Sequence, residues 1–366
     1  MAFGTETYRP NGSLAMSGAN KAGIYIGMMV IAYNDPGGSQ IYTQIPAGYM
    51  FVVTAGSAGA GNHEFTIDSV NGYARINWKP TSNGYLSNGQ SSRFLIFARR
   101  LNNPPAFGKL VYNDENDALL DVNYPVPQFA GTVQPAARAT RTFDCSDGHN
   151  EGNEHTVTMN LRPNTNRIVL VNMPNDDGRN IWYSCDSFVP AGSGAVTLTL
   201  TIIRPYGTPY QVPTLHIFSL DGPISGGGTF GEQYYKADAS LVYDSSAENI
   251  TIRDLALVSY SVNTATMTLN VPASAGVAIP FVEQHDITPY NPQQQYSTGF
   301  DRIYKGTAQR QGSEIRFLLR NTEIPIYRDT IGFNTQAGSQ RGFAVVVDLA
   351  QLNPSSVPGR TSSGTA

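Results

Sequence analysis

Charge is what this sequence has least of. Asp, Glu, Lys and Arg together make up 14% of its 366 residues, against about a quarter in an ordinary soluble protein. The formal net charge is −4, and no run of Lys or Arg forms a basic stripe. Binding to nucleic acid by neutralising phosphates is therefore not expected. Cysteine is nearly absent, with Cys145 and Cys185 alone, so no disulfide framework is available to build the fold; two buried free thiols are the expectation. No stretch of about twenty apolar residues exists, and Met1 is not followed by a basic segment and an apolar run. Neither a membrane span nor a signal peptide is expected. Helical periodicity is missing too: no ten-residue window carries apolar residues at i, i+3, i+4 and i+7 between helix caps.

What is plentiful is Gly, Tyr and Asn, spread through short alternating runs. Phe65 and Ile67, then Ile76 and Trp78, flank Val70-Asn71-Gly72 and predict a hairpin with one apolar face. Arg9-Pro10-Asn11-Gly12 predicts a second hairpin. Thr156 to Leu161 and Val196 to Thr201 read as half-buried strands. Asn175-Asp176-Asp177-Gly178 reads as a further hairpin turn.

One spelling recurs. Phe3-Gly4 is followed by Tyr8 and Leu14; Phe107-Gly108 by Tyr112 and Leu119; Phe230-Gly231 by Tyr235 and Leu241. Each copy closes on an apolar run, Phe94 to Ala98, Leu215 to Leu220 and Phe343 to Leu349. A spacing of roughly a hundred residues is too long for a solenoid repeat and suits a small domain copied in tandem. The expected fold is all-β: three tandem related antiparallel β-sandwich or small-barrel domains with short hairpins, each burying its own interior. Their expected bounds are 1–105, 106–224 and 225–352, followed by a flexible, extended tail over 353–366, whose Pro, Ser, Gly and Thr supply no core. Pro104-Pro105 and Gly226-Gly227-Gly228 mark the boundaries.

Chemistry is sparse. Asp144 to His155 is the densest polar cluster, and Cys145, His149, His155 and Cys185 offer zinc donors, but their spacing matches no zinc finger. A solvated loop between strands is the default there. No Gly-x-Ser-x-Gly elbow is present, no histidine has an evident Ser or Cys partner, and no local pattern couples two carboxylates for glycoside hydrolysis. No catalytic residue, metal ligand or cofactor is assigned. The segment 285–304 has no strand period and carries Tyr290, Tyr296, Phe300 and Tyr304. Such aromatics give flat, rigid contact surfaces, so these four are candidate receptor or partner contacts on an irregular loop. Phe3, Gly4 and Tyr8, with Phe107, Gly108 and Tyr112 and with Phe230, Gly231 and Tyr235, are candidate assembly residues. The first third is the expected anchor, pairing the edge strand that contains Phe3 to Tyr8 with another chain.

The opening Met1-Ala2-Phe3-Gly4, then Tyr8 and Asn11-Gly12-Ser13-Leu14, resembles the start of small virion proteins of tailed bacteriophages, encoded among tail-tip and tail-fibre genes. The match covers the first hundred residues; the second and third copies keep Phe-Gly and Tyr but lose Asn-Gly. The resemblance implies a non-enzymatic, β-rich structural protein of the virion tail, at the tail tip or baseplate or beside a fibre. Its implied partners are other tail proteins in a large multi-chain assembly and, at the attachment site, a host cell-surface receptor. Two alternatives stand beside it: an adhesin for a host glycan or pilus, and a capsid decoration protein.

Overall fold

The computed structural model describes residues 7–8, 14–16, 23–32, 34–55, 63–80, 91–102, 110–112, 118–121, 123–145, 149–160, 166–185, 188–189, 195–221, 232–236, 238–239, 241–244, 252–260, 267–280, 283–288, 300–321, 335–336 and 341–349. The Pro104-Pro105 and triple-glycine boundaries and the 353–366 tail lie outside them.

The fold is all-β, with strands in antiparallel sheets and no α-helix among the described residues. The first third holds β1 (Thr7–Tyr8), β2 (Leu14–Met16), β3 (Ile24–Ile31), β4 (Gly38–Pro46), β5 (Met50–Ala55), β6 (His63–Val70), β7 (Tyr73–Pro80) and β8 (Ser92–Ala98). The second holds β9 (Leu110–Tyr112), β10 (Ala118–Asp121), β11 (Gln128–Val133), β12 (Arg141–Asp144), β13 (Asn150–Asn160), β14 (Arg167–Asn172), β15 (Trp182–Cys185), β16 (Phe188–Val189), β17 (Ala195–Pro205) and β18 (Thr214–Ser219). The third holds β19 (Gln233–Tyr235), β20 (Leu241–Asp244), β21 (Ile252–Ser259), β22 (Met267–Asn270), β23 (Ala275–Ala278), β24 (Glu283–Thr288), β25 (Phe300–Gln311), β26 (Glu314–Asn321), β27 (Thr335–Gln336) and β28 (Arg341–Asp348).

One arrangement recurs. A short hairpin comes first: β1 with β2, β9 with β10, β19 with β20. The closing strand then lies between the opening and middle strands, as β3-β8-β5, β11-β18-β14 and β21-β28-β23. Each opening strand carries a β-bulge against its closing strand at the same place, between Tyr25 and Gly27, Phe129 and Gly131, and Ile252 and Asp254. Bulges of this kind are specific features of a ladder, so a shared bulge is a stricter likeness than shared strand order.

The interiors are continuous rather than three separate cores. β14 pairs with β23 and β15 with β25, fusing the second and third thirds into a seven-stranded and a nine-stranded sheet. Side chains alternate across a strand, and β14 uses both faces: Val169 and Val171 join one apolar cluster, shared with β15, β17, β25 and β26, while Ile168 and Leu170 join another. That other cluster also holds the first third. Its β3-β8-β5 sheet packs one face on the β4-β7-β6 sheet, where Phe94 meets Phe65 edge-on at 5.3 Å between ring centroids, and the other on the seven-stranded sheet. Arg99 crosses this second contact, donating to Asp254 Oδ1 at 3.0 Å and capping the Phe51 ring. The result is four stacked sheets, the seven-stranded one carrying an apolar cluster on each face.

Two turn expectations divide. Between β6 and β7, Asn71 and Gly72 have φ of 53° and 81°, the left-handed pair that a two-residue hairpin requires. The segment Asn175 to Gly178 is not a hairpin. It carries the chain from β14 in one sheet to β15 in the other, and it is held by burial: Asp176 accepts from the Asn180 and Ile181 amides at 2.9 and 2.6 Å, and its own amide donates to the Arg310 carbonyl. The Arg310 guanidinium donates in turn to the carbonyls of Pro272 and Ala273, each at 2.7 Å, and of Gly312 at 3.1 Å.

Candidate functional site

The Phe-Gly signature falls where each third begins. Phe3, Gly4, Phe107, Gly108, Phe230 and Gly231 lie outside the described residues, but the tyrosine that follows each pair stands at one register position: Tyr8 opposite Leu14, Tyr112 opposite Ala118, and Tyr235 opposite Leu241. The second copy is therefore in step with the others at Ala118, and Leu119 is not the equivalent of Leu14 and Leu241. The expected anchor strand Phe3 to Tyr8 is described only as Thr7–Tyr8, inside a hairpin with β2.

The second and third hairpins pack on each other. Leu120 and Tyr243 are each 1% exposed and form a small cluster joined by Val126 and Tyr234, with the Tyr234 and Tyr243 rings stacked at 5.3 Å. Tyr235 points outward, 47% exposed, its hydroxyl donating to Gln233 Oε1 at 2.7 Å. A buried aspartate follows at the same place in both hairpins. Asp244 accepts from Gln233 Nε2 at 2.8 Å, whereas Asp121 stands opposite Leu110. Asp121 Oδ1 takes the Asn123 amide at 2.8 Å, Oδ2 has no partner, and burial raises its pKa.

Of the irregular loop expected over 285–304, residues 285–288 and 300–304 are strand, and 289–299 lie outside the described residues. β24 and β25 form an antiparallel hairpin with Thr288 opposite Phe300, so alternation in this segment is set by pairing and not by its polar composition. Tyr304 is paired with Gln284 and Asn321 and packs partly buried on the core, within β25. Phe300 lies at the start of β25; Tyr290 and Tyr296 lie outside the described residues.

The polar cluster 144–155 is also strand from Asn150 onward, because β13 pairs along its length with β17. His155 is 1% exposed. Its Nδ1 lies 2.8 Å from the Ala136 carbonyl, which can only accept, so Nδ1 carries the proton and Nε2 accepts from the Tyr210 hydroxyl at 3.0 Å. Burial lowers the pKa of this ring. Beside it Arg204 bridges Glu151 at 2.9 Å, both side chains 14% exposed, and lies 4.7 Å from the Tyr210 ring centroid. Tyr206 is held against Asp144, and that bond pushes its pKa up to about 12. Every one of these groups is spent on a neighbour within the fold. No group of three or more His, Cys, Asp or Glu side chains able to hold a metal occurs among the described residues.

Cys145 and Cys185 are both buried free thiols. Cys185 shares a cluster with Tyr183 inside the sandwich, and Cys145 shares one with Phe143, Trp182, Ile203 and Leu318, so the nine-stranded sheet stands between them. His63 does have a serine partner. Its Nδ1 meets Ser92 Oγ at 3.0 Å and its Nε2 meets the Asp35 carbonyl at 3.1 Å. Ser92 is 0% exposed, which removes it from any substrate; the pair ties β6 to β8 across 29 residues that nothing local connects.

No protein-family model, curated protein or solved structure matches this chain. Among the described residues no helix is long and apolar enough to cross a membrane.

Proposed function

We propose that this chain is a non-enzymatic structural protein of a tailed-phage virion, built into the distal tail at the tip or baseplate or beside a fibre, where it serves assembly and host attachment. The observation that supports the reading is repetition with fusion: one strand order and one bulge recur three times, each time after a hairpin that carries the signature tyrosine, and the copies lock into a single four-layer stack. A plate of this kind suits a load-bearing part, and its sparse charge suits surfaces covered by neighbours. Mass spectrometry of purified virions and immunogold labelling test the reading: the chain is expected in intact particles with label at the distal tail. Its absence from particles would refute the proposal, and label on the shell would favour a head decoration protein instead.

The adhesin reading keeps one support, the β24–β25 hairpin, whose connection contains Tyr290 and Tyr296. Purified chain carrying Tyr296→Ala is then expected to lose binding to host cells; undiminished binding would exclude that hairpin.

A further inference from the structure

The outermost layer of the stack is β4-β7-β6, whose inner face lies on β3-β8-β5. Phe65, Ile67, Ile76 and Trp78 turn toward that contact. Successive side chains on a strand point to opposite faces, so Glu64, Thr66, Asp68 and Val70 on β6, and Tyr73, Arg75, Asn77 and Lys79 on β7, turn outward. Ile41 on β4 does the same and is 45% exposed; Tyr73 is 36% exposed.

The register gives this outer face a pattern of charge. Glu64 stands opposite Lys79, Thr66 opposite Asn77, Asp68 opposite Arg75 and Val70 opposite Tyr73. Arg75 is held to Asp68 at 2.6 Å and Lys79 to Glu64 at 3.2 Å. Every charge that β6 turns outward is therefore negative and every one on β7 is positive, so two stripes of opposite sign run side by side. The Asp68 and Lys79 side chains remain 45% and 71% exposed, and both ions keep sites for a second partner.

We propose that this face stacks on the same face of a second copy of the chain, about a two-fold axis that runs along the strands between β6 and β7. The axis lays the acidic stripe of each copy over the basic stripe of the other. Asp68 then faces Arg75 of the other copy, Glu64 faces Lys79 and Val70 faces Tyr73, with Ile41 at the flank. A second copy is the indicated partner because the stripes are equal and opposite, so the face complements itself, and a self-complementary contact closes with two subunits. A nucleic acid, or any surface of one sign, would meet a stripe of its own sign. Sheets stacked face to face lie about 10 Å apart with their strands nearly aligned, which a two-fold along the strands preserves. The remaining layers of the two copies extend away on opposite sides of the contact. The inference concerns the free chain and does not rest on the virion reading.

A contact made by two strands from each copy is at the small end of specific interfaces, so sedimentation equilibrium of the full chain up to about 500 μM is expected to show a dimer with a dissociation constant of about 10–100 μM. Asp68→Arg makes both stripes positive at that level and Arg75→Asp makes both negative. Each variant alone is expected to be monomeric, and an equimolar mixture of the two to dimerise again. Each reversal touches one exposed pair, so both variants are expected to keep the fold, which thermal melts check. In the unaltered chain, raising salt from about 0.05 to about 0.5 M is expected to weaken the dimer about tenfold, a readout that needs no variant. Val30→Asp, at an exposed position on another layer, is expected to leave the dimer as it is. A monomer at every concentration would overturn the proposal. So would a dimer that withstands either reversal or the added salt, a mixture that stays monomeric, or a dimer lost through Val30→Asp.

Discussion

Acidification should loosen the contact between the first third and the seven-stranded sheet through one side chain, His216. It lies on β18 between Thr132 and Leu170, on the face that Phe218 turns toward the first third, with the Phe129 ring 6.3 Å away. Neither ring nitrogen has a hydrogen-bond partner, and burial pushes its pKa down to about 4. The folded value lies below the unfolded value of about 6.5, so the unfolded chain takes the proton first. The neutral ring's contribution is intact above pH 6.5, declines as pH falls from there, and is fully lost below about 4. At pH 5 the gap between the two proton affinities is worth about 2 kcal/mol, from 1.36 kcal/mol per pKa unit over about one and a half units. His216→Leu isolates this, because Leu95 and Val345 fill the matched place in the other two thirds. Urea unfolding of both proteins at pH 7 and pH 5 is the assay. At pH 7 the variant is expected to be at least as stable as the unaltered chain, since two unpaired nitrogens leave the interior. On moving to pH 5 it is expected to lose about 2 kcal/mol less. Parallel losses would refute the reasoning, and His155, lowered by the same cause, is present in both proteins and cancels.

Other outcomes follow from single contacts. A methyl group added at Gly152 would overlap the Phe143 ring, so Gly152→Ala is expected to cost about 1–3 kcal/mol in thermal or urea unfolding, most of it recovered when Phe143→Leu is added. Arg310→Ala removes the donor to three carbonyls at the junction of the second and third thirds and is expected to cost about 2 kcal/mol or more. Gly72→Ala forces an L side chain to a φ of 81° and is expected to cost about 1 kcal/mol, with Asn71→Gly nearly neutral by the same melts. Thiol titration after oxidant treatment and denaturation is expected to count two free cysteines per chain, since a sheet separates them.

The sequence carried the periodic parts of this fold plainly. Alternation at Phe65 to Trp78 and the Asn71-Gly72 turn specify a hairpin by local chemistry alone, and the Phe-Gly spacing marks where each third begins. What it could not carry is which sheet a strand joins. The turn at Asn175 to Gly178 has hairpin residues, yet its strands part because Asp176 is buried against Arg310, 134 residues onward in the chain. Strand β24 hides in a polar stretch because its regularity comes from β25. The matched bulge at Tyr25, Phe129 and Ile252 has no common spelling, for a bulge is a property of the ladder and only two of the three following residues are glycine. His63 with Ser92 is likewise a meeting made by sheet packing and not by spacing.

A sheet that is apolar on both sides cannot be exposed piecemeal. Cutting the chain after the first third would leave Ile168, Leu170, Phe218 and Val345 facing water, and a fragment beginning at residue 106 should clump or bind hydrophobic dyes where the intact chain stays dispersed. Although the gene reads as three consecutive paragraphs, the polypeptide should melt as one sentence, with its slowest-exchanging amides in β14, β18 and β28.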